Sequence, residues 1–285
     1  MTNKIPTDDR QWLHLRRWPL PTAQQAGARG VIVLVHGLGE HLGRYVILAQ
    51  FLNQLGWHVV GADQRGHGVS EGQRGVIVHA DNFLTDLAQV IDVVRDEFPG
   101  PLVLLGHSMG GVVAARFVAE ALEPAPALWS RKVDALVLSS PALDPGLSLR
   151  QRLLLATLGR MAPNSARGNG IKIGWLSRER SVVRAYERDR LVHDRVCPRL
   201  VRFIVDSGRV VQARAASWVV PTLLMWGGAD RIVAPRGSAA FAEAAPVAVV
   251  QAQDYPKLYH EIFNEPERHE VLACLANWLR AFKAS

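Results

Sequence analysis

Six residues, Gly106-His107-Ser108-Met109-Gly110-Gly111, restrict what this chain can fold into more than any other feature of it. They follow the apolar run 102–105 and precede a segment of small and apolar residues, 112–121. A Gly-x-Ser-x-Gly sequence between a strand and a helix marks a turn so sharp that its serine must adopt a strained backbone. Gly106 and Gly110 have no Cβ, so the strand and helix on either side can approach closely. The serine oxygen is then held at the edge of the sheet, over a helix N-terminus that favours developing negative charge.

The rest of the chain supplies the sheet. Apolar runs bounded by glycine or proline predict strands at 31–35, 57–60, 102–105, 133–138, 222–226 and 247–250. Helical patterns fall between and after them at 45–55, 83–98, 111–122, 238–245 and 266–283. This alternation predicts a mostly parallel central sheet flanked by helices, an α/β fold with right-handed crossovers. An additional antiparallel strand is expected at 11–18. The chain has 285 residues, 48% of them hydrophobic, enough for one large domain with an insertion. A domain of this size buries roughly 75% of its unfolded surface and needs no disulfide or metal staple. Cys197 and Cys274 lie far apart, in no ligand-like spacing, and read as reduced thiols.

One connection breaks the rhythm. Eighty residues, 141–220, separate two consecutive strands, too many for a plain loop and typical of a lid. Leu149, Leu153, Leu154 and Leu158 give this segment an apolar helical face set among Arg150, Arg152 and Arg160. A second, strongly charged helix is expected at 181–191. The segment carries 15 Lys+Arg against 6 Asp+Glu, a balance of +9. The other residues carry 18 against 20, so the whole net charge of +7 has its source in the insertion. No zinc-finger or RNA-binding signature accompanies the charge, so nucleic acid is not the expected partner. An anionic head group or an anionic membrane surface is. The polar N-terminus, residues 1–10, lacks the apolar core of a signal peptide, and no apolar run approaches the ~20 residues that span a bilayer. A cytoplasmic location, with peripheral membrane contact, is expected.

Four polar sites stand just past predicted strands: His36-Gly37-Leu38-Gly39, Ser108, Asp230 and His260. In an open parallel sheet the loops past the strand C-termini share one edge, where ligands bind, so residues remote in sequence can meet there. Ser108 is the candidate nucleophile, and a serine hydroxyl needs an adjacent base to act as one. His260 is the candidate base, favoured over His36, His58, His67 and His107 by its place between the last strand and last helix. Asp230, in Gly227-Gly228-Ala229-Asp230, is the candidate acid that orients the imidazole. Its main competitor, Asp254, is read as sharing a loop with His260, a poor position for an independent partner. The order Ser…Asp…His is that of one convergent form of the hydrolytic triad. Backbone N–H groups of Met109 and of Leu38 are the expected oxyanion donors. The polar run 63–72 reads as a structural loop in which Asp63 and Arg65 organise turns.

Taken together these motifs resemble the monoacylglycerol lipase and lysophospholipase branch of the α/β-hydrolases, of the serine aminopeptidase S33 type. The matching residues are His36-Gly37-Leu38-Gly39-Glu40-His41 with Arg44-Tyr45, residues 63–72, Gly106 to Gly111, Ser139-Ser140-Pro141-Ala142-Leu143, Gly227-Gly228-Ala229-Asp230, and Tyr255 with His260-Glu261. The resemblance implies an α/β-hydrolase core at 1–140 and 216–285, with an inserted, mainly helical cap at 141–215. It implies catalytic Ser108, Asp230 and His260, oxyanion N–H groups at Leu38 and Met109, a lipid ester as substrate, and no metal or cofactor. Lysophospholipid or general carboxylic ester hydrolysis, acyl transfer to another acceptor, and lipid binding without catalysis are the alternatives.

Overall fold

The computed structural model describes residues 3–283. Its strands, in chain order, are β1 (Lys4–Pro6), β2 (Trp12–Trp18), β3 (Val31–Val35), β4 (His58–Ala62), β5 (Leu102–His107), β6 (Ala135–Ser139), β7 (Arg167–Gly168), β8 (Arg195–Val196), β9 (Thr222–Gly227) and β10 (Val250–Tyr255). Eight of them form one sheet in the order β1-β2-β4-β3-β5-β6-β9-β10, and β7 and β8 pair separately. β2 runs antiparallel to β4, and the pairs from β4 to β10 are parallel. The chain is thus a largely parallel α/β fold, as its alternating pattern predicts.

Period-two alternation divides the core into two layers. Val31, Val33 and Val35 of β3 face one layer, with Leu102 and Leu104 of β5. Ile32 and Leu34, with Val103 and Leu105, face the other. A strand buried on both sides is apolar at every position, which is why these runs are continuous rather than alternating. Helices α3 (Asn82–Glu97) and α4 (Met109–Glu120) cover the first face. Helices α2 (Val46–Gln54) and α9 (Arg268–Ala281) cover the second. The short α1 (Thr22–Gln25) precedes β3, and α8 (Pro235–Ala244) links β9 to β10.

The strand order sets where a site can form. From β3 the chain steps to β4 on one side, then crosses to β5 on the other. The loops leaving β3 and β5 therefore diverge to opposite faces and leave a crevice between them. The Leu38 loop and Ser108 emerge at that crevice.

Three helices lie between β6 and β9: α5 (Leu149–Met161), α6 (Arg180–Arg188) and α7 (Pro198–Arg214). They differ in how they are held. α7 buries Leu200, Phe203, Ile204 and Val211 in the first core layer. α5 starts from a capping box of Ser148 and Gln151 but buries none of its residues. Leu149, Leu153 and Leu154, the expected apolar face, are exposed.

The last strand departs from expectation. The run 247–250 predicts a strand that actually starts at Val250 and extends to Tyr255. Its middle residues, Gln251 to Asp254, are exposed. An edge strand with open flanks has no need of an apolar run, so hydrophobicity marks only its first turn of chain. Asp254 consequently lies within β10, paired with Trp226, and not on the His260 loop. The charged helix expected at 181–191 ends at Arg188, where Asp189 turns to bond His41 Nε2 at 2.8 Å.

Candidate active site

Ser108 is the residue between β5 and α4, with φ 55° and ψ −119°. That left-handed conformation is strained for a side chain-bearing residue and persists only where the surroundings enforce it. The glycines around it show the enforcement. A Cβ on Gly106 would stand 2.4 Å from the Gly110 carbonyl oxygen, and one on Gly110 would stand 2.0 Å from that of Val35. The elbow is thus wedged between β3 and α4, with no room for a larger residue at either glycine.

His260 Nε2 lies 2.8 Å from Ser108 Oγ, and its Nδ1 lies 2.6 Å from Asp230 Oδ2. All three residues are buried. Asp230 sits just past β9, and its other oxygen accepts the Ile232 and Val233 N–H groups at 2.7 and 3.2 Å. The carboxylate is therefore fixed by its own turn before it meets the imidazole. Burial by itself would lower the His260 pKa, but the charge and hydrogen bond of Asp230 outweigh it and leave the imidazole above its ordinary 6.5.

The competing histidines have other partners. His36 Nε2 accepts the Gln64 N–H while Nδ1 donates to the Gly37 carbonyl, and burial holds this ring neutral. His67 bonds the Arg65 carbonyl, and His58 Nδ1 accepts the Leu20 N–H. His107 turns to the Ser139 carbonyl and hydroxyl at 3.1 Å.

The Leu38 loop abuts Ser108: a Cβ on Gly37 would lie 3.3 Å from Ser108 Cβ. Neither the Leu38 nor the Met109 backbone N–H donates to a protein acceptor among the described residues. Met109 opens α4, where the first N–H groups have no partner within the helix. The 63–72 loop braces this region from behind. Asp63 accepts the Leu42 and Val69 N–H groups, and Arg65 forms a two-pronged ion pair with Asp86 at 2.6 Å.

A polar wall beside Ser108 and His260 carries residues that are not among the candidates read from the sequence. Glu40 accepts the Gly37 N–H and the Tyr45 hydroxyl, each at 2.6 Å, and pairs with Arg44 at 2.6 Å. Arg44 also grips Glu261 through both Nη atoms and stacks 4.7 Å from the Tyr186 ring centroid. Burial pushes the Glu40 carboxyl up, but Arg44 and the nearby imidazoles outweigh it and hold it down to about 2. The i,i+4 spacing of Glu40 and Arg44 is a local signal for such a pair. Nothing local marks Tyr186, which comes from the insertion. Among the described residues no group of three or more His, Cys, Asp or Glu is arranged to hold a metal ion, and no helix is long and apolar enough to cross a membrane.

The profile of one protein family, serine aminopeptidase S33, matches residues 26–267. The chain belongs to this family. Within it, a monoacylglycerol lipase of Mycolicibacterium smegmatis is 34% identical over 88% of this chain and 88% of its own length. The phospholipase YtpA of Bacillus subtilis is 32% identical over 85% of this chain and 91% of its own. The crystal structure of a monoacylglycerol lipase from Paleococcus ferrophilus superposes with a TM-score of 0.80 at 33% identity, covering 94% of this chain and 98% of that one. The family shares the α/β-hydrolase architecture described above, and the inserted segment lies within the matched region.

Proposed function

We propose that this protein is a serine esterase that hydrolyses carboxylic esters of lipids, with monoacylglycerols as the first substrate class and lysophospholipids as the second. The carrying observation is the buried hydrogen-bonded series Asp230–His260–Ser108 at the C-terminal edge of the sheet, with Ser108 at its topological switch point. The names of the relatives, monoacylglycerol lipase and phospholipase, support the lipid class.

In this reading Ser108 Oγ attacks the ester carbonyl carbon while His260 Nε2 takes the serine proton. Asp230 holds the ring tautomer and offsets the charge of the imidazolium. The Leu38 and Met109 N–H groups receive the oxyanion. The tetrahedral intermediate collapses, and the leaving alkoxide takes the proton from His260, giving a free alcohol and an acyl-Ser108 ester. Water then attacks the acyl carbon, its proton passing to His260. Release of the fatty acid returns that proton to Ser108. Glu40, Arg44 and Tyr186 line the same space as Ser108 and suit the hydroxyls of a glycerol leaving group.

Residues 141–215 serve as the cap. The space at Ser108 is about 30 Å³. A lipid ester needs a pocket of several hundred Å³, so the cap moves to admit it. A cleft of about 880 Å³ lies between α5, α7 and α8, lined by Leu143, Leu147, Leu155 and Val205 beside Arg152 and Arg202, and shares no lining residue with the space at Ser108. The exposed Leu149, Leu153 and Leu154, set among Arg150, Arg152 and Arg160, suit α5 to lie on an anionic membrane surface.

Turnover across a matched panel of monoacylglycerols, lysophospholipids and short p-nitrophenyl esters tests the reading. Activity on the lipid esters with fluorophosphonate labelling of Ser108 is expected. Lipid turnover that survives intact in Ser108→Ala overturns it.

A further inference from the structure

Glu265 follows His260 by five residues and is fully buried. A carboxylate withdrawn from water must have its hydration replaced almost completely by donors. Four donors do this. Oε1 accepts from Ser177 Oγ at 2.7 Å and the Arg178 N–H at 2.6 Å. Oε2 accepts from Arg178 Nε at 2.7 Å and the Tyr259 N–H at 3.0 Å. Three of the four belong to the cap, and the fourth belongs to the residue immediately before His260.

A second link lies on the other side of the histidine. The Glu261 N–H donates to the Leu176 carbonyl at 2.8 Å. Both sequence neighbours of His260 are thus tied to the cap segment 176–178, Tyr259 through the Glu265 carboxylate and Glu261 directly. Arg178 is partly exposed but the Glu265 carboxylate is fully buried, and a buried charge is a poor device for stability alone, since well-packed apolar residues of similar volume serve as well or better. It is a good device for fixing one arrangement, because a displaced partner leaves a charge buried and unpaired.

We propose that Glu265 is a positioning residue that clasps the cap to the catalytic-histidine loop, so that seating of residues 176–178 and placement of His260 are one event. The proposal rests on His260 being the base and is independent of which lipid is cleaved. With the clasp closed, His260 holds both its 2.6 and 2.8 Å bonds. With it open, the loop is free to carry the imidazole away from Ser108 and Asp230, and the enzyme waits in a less active state until the cap is seated.

The test uses a soluble short-chain ester, the enzyme as the full chain, and five variants: Glu265→Gln, Arg178→Ala, Ser177→Ala, the Glu265→Gln/Arg178→Ala double and His260→Ala. Glu265→Gln places an amide donor among four donors, whereas Arg178→Ala and Ser177→Ala cut the clasp from the cap side without substituting any residue of the histidine loop, removing as well the Arg178–Glu267 pair and the Ser177 bond to the Asn264 carbonyl. In folded Glu265→Gln, kcat is expected to fall about 10²-fold, the cost of misplacing a catalytic group by roughly 1 Å. KM should change little. The kinetic pKa should drop as His260 loosens from Asp230. Arg178→Ala should reproduce the pattern in weaker form, and the double variant should be no worse than Glu265→Gln. Unchanged kcat and pH profile in Glu265→Gln and Arg178→Ala, with only a lower Tm, overturns the clasp. If Glu265→Gln does not fold, Arg178→Ala and Ser177→Ala decide by the same two readouts. His260→Ala separates the two ideas: full activity there overturns the base assignment and the clasp together, while loss there beside unaltered clasp variants overturns the clasp alone.

Discussion

The imidazole rings of His107 and His260 lie 4.8 Å apart, centroid to centroid, yet the protein tunes them in opposite directions. Burial, with the neighbouring His260 charge, pushes His107 down to about 4. His260 is equally buried, but its Asp230 partner raises it above 6.5. The ring next to Ser108 in sequence is therefore a neutral spacer, and the ring 152 residues away is the one within hydrogen-bond reach of Ser108 Oγ.

The pH dependence follows with a definite sign. The base must be neutral to accept a proton, so kcat/KM should rise with pH through a single ionisation above 6.5. In Asp230→Asn burial acts on His260 against only the weaker pull of the Glu261 and Glu40 carboxylates, and the acid limb should shift down. With the tautomer no longer held, kcat should fall about 10⁴-fold. A pH–rate series on both forms checks this, and a limb that stays in place would count against Asp230 as the orienting acid.

Ser108→Ala should lower kcat by at least about 10⁴-fold and abolish fluorophosphonate labelling, while leaving the thermal transition close to that of the parent. The side chain is small and has no part in the packing of either core layer. Intact-mass analysis of the labelled protein reads the first outcome and a melting curve the second.

Gly39→Ala should loosen the Leu38 loop, which the proposed mechanism uses to receive the oxyanion. Gly39 has φ +77°, and a Cβ there would stand 2.2 Å from the His193 carbonyl oxygen of the insertion. The left-handed backbone costs a non-glycine residue about 1–2 kcal/mol, and the clash forces the loop to move as well. Displacing the neighbouring Leu38 N–H should reduce kcat up to about 10²-fold, with a smaller effect on KM.

Arg65→Met should destabilise the fold by about 3–5 kcal/mol, because it leaves the buried Asp86 carboxylate without its counter-ion. Urea unfolding measures the loss. A change below about 1 kcal/mol would mean that the 63–72 loop does not depend on this pair.

Leu153→Asp with Leu154→Asp on α5 should weaken partition into anionic vesicles at least tenfold, since each buried leucine is worth about 1.5–3 kcal/mol. Turnover of a soluble short-chain ester should stay the same. Vesicle sedimentation beside a solution assay separates the two, and unchanged partition would remove α5 from the membrane surface.

Much of the architecture was legible because its causes are local. β3 and β5 are buried on both faces and so had to be continuous apolar runs, and the elbow had to carry glycines where α4 and β3 leave no room for a Cβ. β10 was misplaced because an edge strand open to solvent leaves no apolar trace over its length. The same error put Asp254 on the wrong element. Tyr186 and Glu265 were missed for a different reason: the inserted segment meets Arg44 through Tyr186 and the His260 loop through Glu265, and spacing along the chain carries no record of such contacts.

The sequence by itself determined the class of fold, the sharp turn at Ser108 and the set of polar residues delivered to one edge of the sheet, since periodicity, steric limits at glycine and strand order are written in neighbouring residues. Only the tertiary structure decided which histidine and which aspartate meet Ser108, and which residues of the inserted segment contact that histidine loop. Those choices turn on through-space distances of 2.6 and 2.8 Å between side chains as much as 152 residues apart, and such distances exist only once the sheet has brought its strand ends together.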